Sequence, residues 1–238
     1  MNNIFQQEHE GYSKEISRDF FKSVYSYMFG ALAISGMVAY MAGTQEVFEA
    51  YFLNAEGTGL SPVFYIVAFA PLGLGLLIQM AYQRLSLGLL LFLFMLYSVL
   101  MGLSLSIVLL VYSGQQVAVT FFVTAGAFGG MAILGYTTKT DLTKMGSLLY
   151  MAFIGIFIAG IANIWIGSGA LDFAISVIGV FVFTGLTAYY MQKLKTISQD
   201  QSLSGMDRNK LAVVGGLMLY ILFINLFMSL LRLTGGGD

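Results

Sequence analysis

Seven long apolar runs, none with Asp, Glu, Lys, Arg or His in its core, dominate this chain. They cover roughly 24–43, 62–81, 87–111, 117–136, 146–166, 171–191 and 211–231. Each reaches the ~20 residues that a helix needs to cross a bilayer. In hydrocarbon a segment must satisfy its own backbone polar groups, and a long continuous run does so as a helix. A membrane barrel would instead show segments of about 10 residues with alternating polarity. Charged residues are only 10% of the chain, against about 25% in soluble domains. The sequence therefore predicts an all-α membrane protein with seven transmembrane helices. We read one membrane domain, 23–233, behind a polar tail, 1–22. The first run is longer than a signal-peptide core and is read as a retained helix.

The charges predict an orientation. Lys14, Arg18 and Lys22 precede the first run, and Arg84 lies between the second and third. Lys139 and Lys144 lie between the fourth and fifth, and Lys193, Lys195, Arg208 and Lys210 between the sixth and seventh. Ten of the eleven basic residues thus fall on one side. The alternate loops 44–61, 112–116 and 167–170 hold none, and the first of them carries Glu46, Glu49 and Glu56. The positive-inside rule then places the N-terminus in the cytoplasm. Only Arg232, at the end of the last run, falls on the other side.

Composition narrows the function. A net charge of −1 gives no electrostatic case for nucleic acid. No cysteine is present, which removes disulfide and thiolate chemistry. The single histidine, His9, lies in the polar tail. A serine intramembrane protease would need a histidine base within the spans, and an aspartyl one would need two facing carboxylates. A retinal protein would need a lysine deep in its last helix. The spans supply none of these, so no enzyme is expected. Intramembrane charges mark proton relays and ion paths, so their lack argues against a pump or proton-coupled transporter. No internal repeat suggests an inverted-repeat transporter.

The polar groups left inside the spans are the candidates for chemistry. Asn163 in "GIANIW" and Asn225 in "LFINLF" sit in apolar context, where an unpaired amide is costly. Both are expected to hydrogen-bond across helices, either as structural links or as part of a polar cavity. Gln79 and Gln192 are expected to reach the interface. Ser104, Ser106, Thr184 and Thr187 are expected to bond their own helix backbone. Arg84 and Asp141 lie at the cytoplasmic ends. Gly126 with Gly130, and Ser98 with Gly102, are small pairs four apart, suited to close helix packing. Pro71 sits mid-span and predicts a kink. "GSG" (167–169) is read as a tight turn.

Several strings resemble one known family. "GYTTKTDLTKMGSLLYMAFIGI" (135–156), "IGVFVFTGLTAY" (178–189), "QKLK" (192–195), "LYILFINLFMSLLR" (219–232) and "FLFMLYSVLMGLSLS" (92–106) look like the Bax inhibitor-1 family. The resemblance runs in order from about residue 18 to 233 and is closest to bacterial inner-membrane members. It implies six helices packed around a central seventh. It also implies a pH-sensitive calcium leak, with calcium as the transported ion and no bound cofactor. Eukaryotic members suppress cell death, and some bacterial relatives interact with a membrane-bound quality-control protease. In the leak channels two aspartates form the gate, in "AYDxQK" at the end of helix six and "LYLDFINLF" in helix seven. A basic residue near helix two, which Arg84 roughly matches, assists closure.

Here the two motifs read "AYYMQK" and "LYILFINLF", so the acid positions are Tyr190 and Leu222. Three readings follow from the sequence. One is a family-type cation leak without its proton switch. Another is a non-conducting protein that acts by contact with a membrane protease or other membrane protein in quality control or stress survival, with the polar tail as contact element. The third is a stabilised or engineered variant of the fold. For the pair itself, Tyr190 either packs near Leu222 in place of the acids or anchors the helix at the interface.

Overall fold

A computed structural model describes residues 2–235 apart from 55, 58 and 201, with side chains from residue 15 onward. Met1 and the side chain of His9 lie outside the described residues. Among these residues seven helices are long and apolar enough to cross a membrane. They comprise α1 (Asn2–Ala42), α3 (Pro62–Ala81), α4 (Leu87–Ser106) continued by the short α5 (Val108–Val111), α6 (Gly114–Thr137), α7 (Thr143–Ile166), α8 (Gly169–Gln199) and α9 (Gly205–Gly235). A short α2 (Gln45–Phe52) occupies the acidic loop after α1, capped by the Thr44 side chain.

Two boundaries differ most from the sequence reading. The segment expected as a polar tail is helical and continuous with the first span. Its described end is already packed: Ser17, Phe20, Phe21, Val24, Met28, Ala31, Ser35 and Ala39 are buried. That stripe has helical spacing and begins before the apolar run does, because a few buried positions per turn are enough to seat a helix. At the other end, α8 continues past the expected 191 to Gln199, with Leu194 and Ser198 extending its buried face.

By its contacts the chain divides into two compact units. One comprises residues 1–113 and 200–220, the other 114–199 and 221–238, so α9 contributes to both. In the first unit α1 and α3 each lie against α4. In the second, α6 and α7 each lie against α8. The most apolar window of α9 is 72% buried, whereas that of α7 has no buried residue. α9 therefore meets protein along most of its length, and α7 offers its surface to lipid.

In the first unit, close approach is set by small residues and sealed by hydroxyls. A Cβ on Gly102 would lie 2.7 Å from Val38 and 2.8 Å from the Ser35 carbonyl oxygen, so α1 crosses α4 there. Ser35 Oγ donates to the Ser98 carbonyl at 2.7 Å and lies 2.6 Å from Tyr220 Oη. A hydroxyl has one proton, so the Tyr220 phenol donates to Ser35. The Tyr220 ring, fully buried, takes Phe94 and Tyr97 edge-on at 6.1 and 5.8 Å. Gly216 admits α1 to α9: a Cβ there would meet Tyr27 and the Val24 carbonyl oxygen at 2.9 Å.

Pro71 lies inside a continuous α3. Proline has no N–H, so the carbonyl four residues back, Val67, loses its helical donor. Ser104 of α4 replaces it: its Oγ donates to the Val67 carbonyl oxygen at 2.8 Å. This corrects the expectation that Ser104 bonds its own helix. Ser106, Thr184 and Thr187 do bond their own helices, through Leu103, Val180 and Phe183. The packing role expected of Gly126 with Gly130 is also corrected. A Cβ on Gly126 or Gly130 would meet nothing within 4 Å, so neither brings helices together within the chain.

Two outcomes follow. Gly102→Ala should destabilise the purified protein by about 1–3 kcal/mol through overpacking. Gly126→Ala should be neutral, or stabilising by about 0.5–1 kcal/mol from helix propensity alone. Thermal unfolding in detergent compares them, and equal effects would refute the assignment. Ser104→Ala should cost about 1 kcal/mol by leaving the Val67 carbonyl without its donor. The same substitution in a Pro71→Ala background, where the helical donor returns, should cost measurably less.

Candidate functional site

The residues singled out in the sequence are not all in one place. Arg84 is exposed in the turn after α3, in the first unit, where its N–H donates to the Ala81 carbonyl. Lys210 reaches the same turn and donates to the Gln83 carbonyl at 3.1 Å. Asn163, Asp141, Tyr190, Leu222 and Asn225 all belong to the second unit.

Tyr190 lies on the buried face of α8 and is 8% exposed. Its ring meets Tyr189 edge-on at 6.4 Å, and Lys193 Nζ sits 5.5 Å from its centroid. The ammonium thus rests on the electron-rich face of the aromatic ring. Leu222 of α9 is 4% exposed. Beside it, Phe223 stands edge-on to Phe121 and Phe128 of α6 at 5.4 and 5.6 Å. Tyr190 thus lies under a lysine, and Leu222 is buried next to an aromatic cluster.

Both asparagines correct the expectation of interhelical bonds, because each satisfies its amide close by in sequence. Asn225 Nδ2 donates to the Ile221 carbonyl of its own helix at 2.8 Å. Asn163 Oδ1 accepts from Ser168 N at 3.0 Å, while its backbone carbonyl accepts from Gly167 N at 2.8 Å. Gly167 holds φ +67°, the left-handed conformation that ends a helix. Asn163 therefore closes the α7–α8 turn, and "GSG" is that turn. Ser168 Oγ accepts from Leu171 N and starts α8. At the same end Arg232 pairs with Asp172 at 3.3 Å. The one basic residue outside the charge pattern is thus neutralised by the acid at the mouth of α8.

The opposite end of this unit holds a feature that the sequence reading missed. The turn between α6 and α7, residues 138–142, is held by two side chains of α8. Gln192 Oε1 accepts from Leu142 N at 2.9 Å, and its Nε2 donates to the Thr140 carbonyl at 2.8 Å. Lys195 Nζ donates to the Tyr136 carbonyl at 2.8 Å and lies 5.1 Å from that ring. Two glycines seat the turn: Gly135 lies directly on the Ala188 backbone, and Gly146 lies against the Tyr189 ring. Asp141 is exposed, and its Oδ1 accepts from Thr143 N at 2.9 Å. Hydrogen bonds from the Thr143 hydroxyl and N–H, helped by Lys144, hold its carboxyl below the usual aspartate range. Asp141 serves as a charged start to α7. The signal available in sequence was the buried-face spacing of 190, 191, 194 and 198, which carries the helix beyond its apolar run.

A search of protein families matches residues 17–238 to the family described as "Inhibitor of apoptosis-promoting Bax1". Among curated proteins, the chain is 44% identical over 215 residues to inner membrane protein YbhL of Escherichia coli, covering 89% of each chain. It is 42% identical over 226 residues to an uncharacterized protein of Caulobacter vibrioides, covering 92% of this chain and 89% of that one. It is 39% identical over 220 residues to an uncharacterized protein of Borreliella burgdorferi, covering 92% and 93%.

Gln192→Ala should free the turn without unfolding the bundle. Two backbone groups lose their partners, a cost of about 1–3 kcal/mol in total when solvent reaches them. Amide hydrogen exchange across 138–146 should quicken while that of α9 is unchanged. Uniform quickening, or none, would show that Gln192 does not hold this turn.

Proposed function

The chain belongs to the Bax inhibitor-1 family, and we propose that it is a non-enzymatic inner-membrane cation leak without a proton switch. The single observation that carries this is the pair Tyr190 and Leu222. Both are buried, and both stand where the resemblance implies gating aspartates. Two nearby carboxylates in a poorly solvated site share a proton, which makes a gate respond to pH. A tyrosine ionises near about 10 and a leucine not at all, so this pair keeps one state across physiological pH. Replacing a buried acid pair by apolar and aromatic contact also removes its desolvation cost.

The transported ion in this reading is calcium, which takes about six to eight oxygen ligands, with carboxylates common among them. Without the acids, the available oxygens near these positions are the Tyr190 phenol, the Asn225 amide and helix carbonyls. The pathway is therefore expected to hold calcium weakly. A second reading, a non-conducting protein that acts by contact with a membrane protease or other membrane protein, draws support from α1. That helix continues through the polar segment before the first span, giving a structured element for such a contact.

Liposome flux tests the proposal. Calcium release from the unaltered protein should vary by less than about twofold between about pH 6 and about pH 8, since no group of the pair titrates there. The Tyr190→Asp, Leu222→Asp double variant should gain pH dependence over the same interval. Steep pH dependence in the unaltered protein would overturn the proposal. No flux from either protein, with a partner co-purifying through α1, would favour the second reading.

A further inference from the structure

We propose that the cleft between the α6–α7 turn and the end of α8 binds the phosphate of an anionic phospholipid headgroup. The cleft has a volume of about 630 Å3, and its lining includes Thr138, Lys139, Asp141, Tyr189, Lys193 and Lys195. Three ammonium groups and one carboxylate therefore face it.

The charges are not equally available. Lys195 is committed to the Tyr136 carbonyl and ring. Asp141 is committed to the first turn of α7 through Thr143, where the helix N-terminus offsets its charge. Among the described residues, no carboxylate lies within salt-bridge distance of Lys139 or Lys193. These two exposed cations line the cleft from different elements, one on the turn and one on α8. The Tyr190 ring lies 5.5 Å from the Lys193 ammonium. Thr138 Oγ1 accepts from Thr140 N at 3.2 Å, which leaves its own proton for another acceptor. Two point charges and a hydroxyl donor suit the two non-bridging oxygens that share the single negative charge of a phosphodiester.

Position selects a lipid as the source of that phosphate. The cleft opens where α6 ends at Thr137, α7 begins at Thr143 and α8 leaves its apolar run. Tyr136, Tyr189 and Tyr190 gather at this level, as aromatic residues do at a membrane surface. Lys139, Lys193 and Lys195 belong to segments between apolar runs that the positive-inside rule assigns to the cytoplasmic leaflet, where anionic lipid is found.

Thermal unfolding of the full chain in neutral detergent tests this. It would be titrated with short-chain phosphatidylglycerol, short-chain phosphatidylcholine or inorganic phosphate. Phosphatidylglycerol should raise the midpoint, and the other two should not at equal concentration. The Lys139→Gln, Lys193→Gln variant should bind phosphatidylglycerol about tenfold or more weakly, as expected for two surface lysines. A charge-matched control, Arg18→Gln with Lys22→Gln, should stay within about twofold of the unaltered protein because neither lines the cleft. Equal shifts with phosphatidylcholine, or an unchanged response in the Lys139→Gln, Lys193→Gln variant, would overturn the proposal. A shift with inorganic phosphate alone, sensitive to those two substitutions, would show a soluble-anion site and overturn the lipid assignment.

Discussion

The constraint on which this structure depends is the need to satisfy every backbone group that a helix cannot satisfy itself. In or beside hydrocarbon, water does not supply the missing partner. Three such places are resolved by side chains from another helix. The Val67 carbonyl, orphaned by Pro71, takes the Ser104 hydroxyl. The Tyr136 carbonyl at the end of α6 takes Lys195. The α6–α7 turn takes both ends of the Gln192 amide. In each case a polar residue that invites a chemical role is occupied by the backbone, and its identity follows from the geometry of the partner. A carbonyl alone accepts a hydroxyl or ammonium proton, whereas a turn offering an N–H and a carbonyl matches an amide.

The same logic separates glycines that matter from those that do not. Gly102, Gly135, Gly146 and Gly216 each lie where another helix occupies the space of a side chain. Gly126 and Gly130 have open space despite their familiar spacing. Spacing shows that two positions share a face, but not whether a partner helix covers that face. The neighbour decides that, and it comes from a distant part of the chain.

Much of the fold was legible because the bilayer imposes a length. The bounds of α3, Pro62–Ala81, coincide with the apolar run, and α4 with α5 fill 87–111. The ends of α1 and α8 were illegible to the same rule. There the helix leaves hydrocarbon, and its stability comes from packing along one stripe or from bonds to a turn fifty residues away in sequence. Of the candidate site, motif outlines singled out Tyr190 and Leu222, and the structure buries both. The roles of Asn163 and Asn225 could not. An amide in an apolar run is equally compatible with an interhelical bond, a helix-internal bond or a turn, and the choice depends on whether a free N–H or carbonyl lies within reach. Gln192 was placed at the interface by its flanking lysines, but its clasp depends on α6 and α7 presenting their turn to α8.

Neighbouring positions of one helix serve different partners. In α8 the contacts that hold the turn come from Ala188, Tyr189, Gln192 and Lys195. Tyr190 lies among them in sequence but takes no part in those four contacts. Its ring faces Tyr189 and Lys193. A helix turns by about 100° per residue, so neighbours in sequence serve different surfaces. The hydrogen bonds that hold the turn therefore come from residues other than Tyr190, whose ring packs on Tyr189. Leu222 is placed similarly: Tyr220 two residues before it anchors the Ser35 hydroxyl, and Phe223 after it meets α6. The neighbours of Tyr190 and Leu222 make the contacts described at both sites, so the motif outline reports on helix packing.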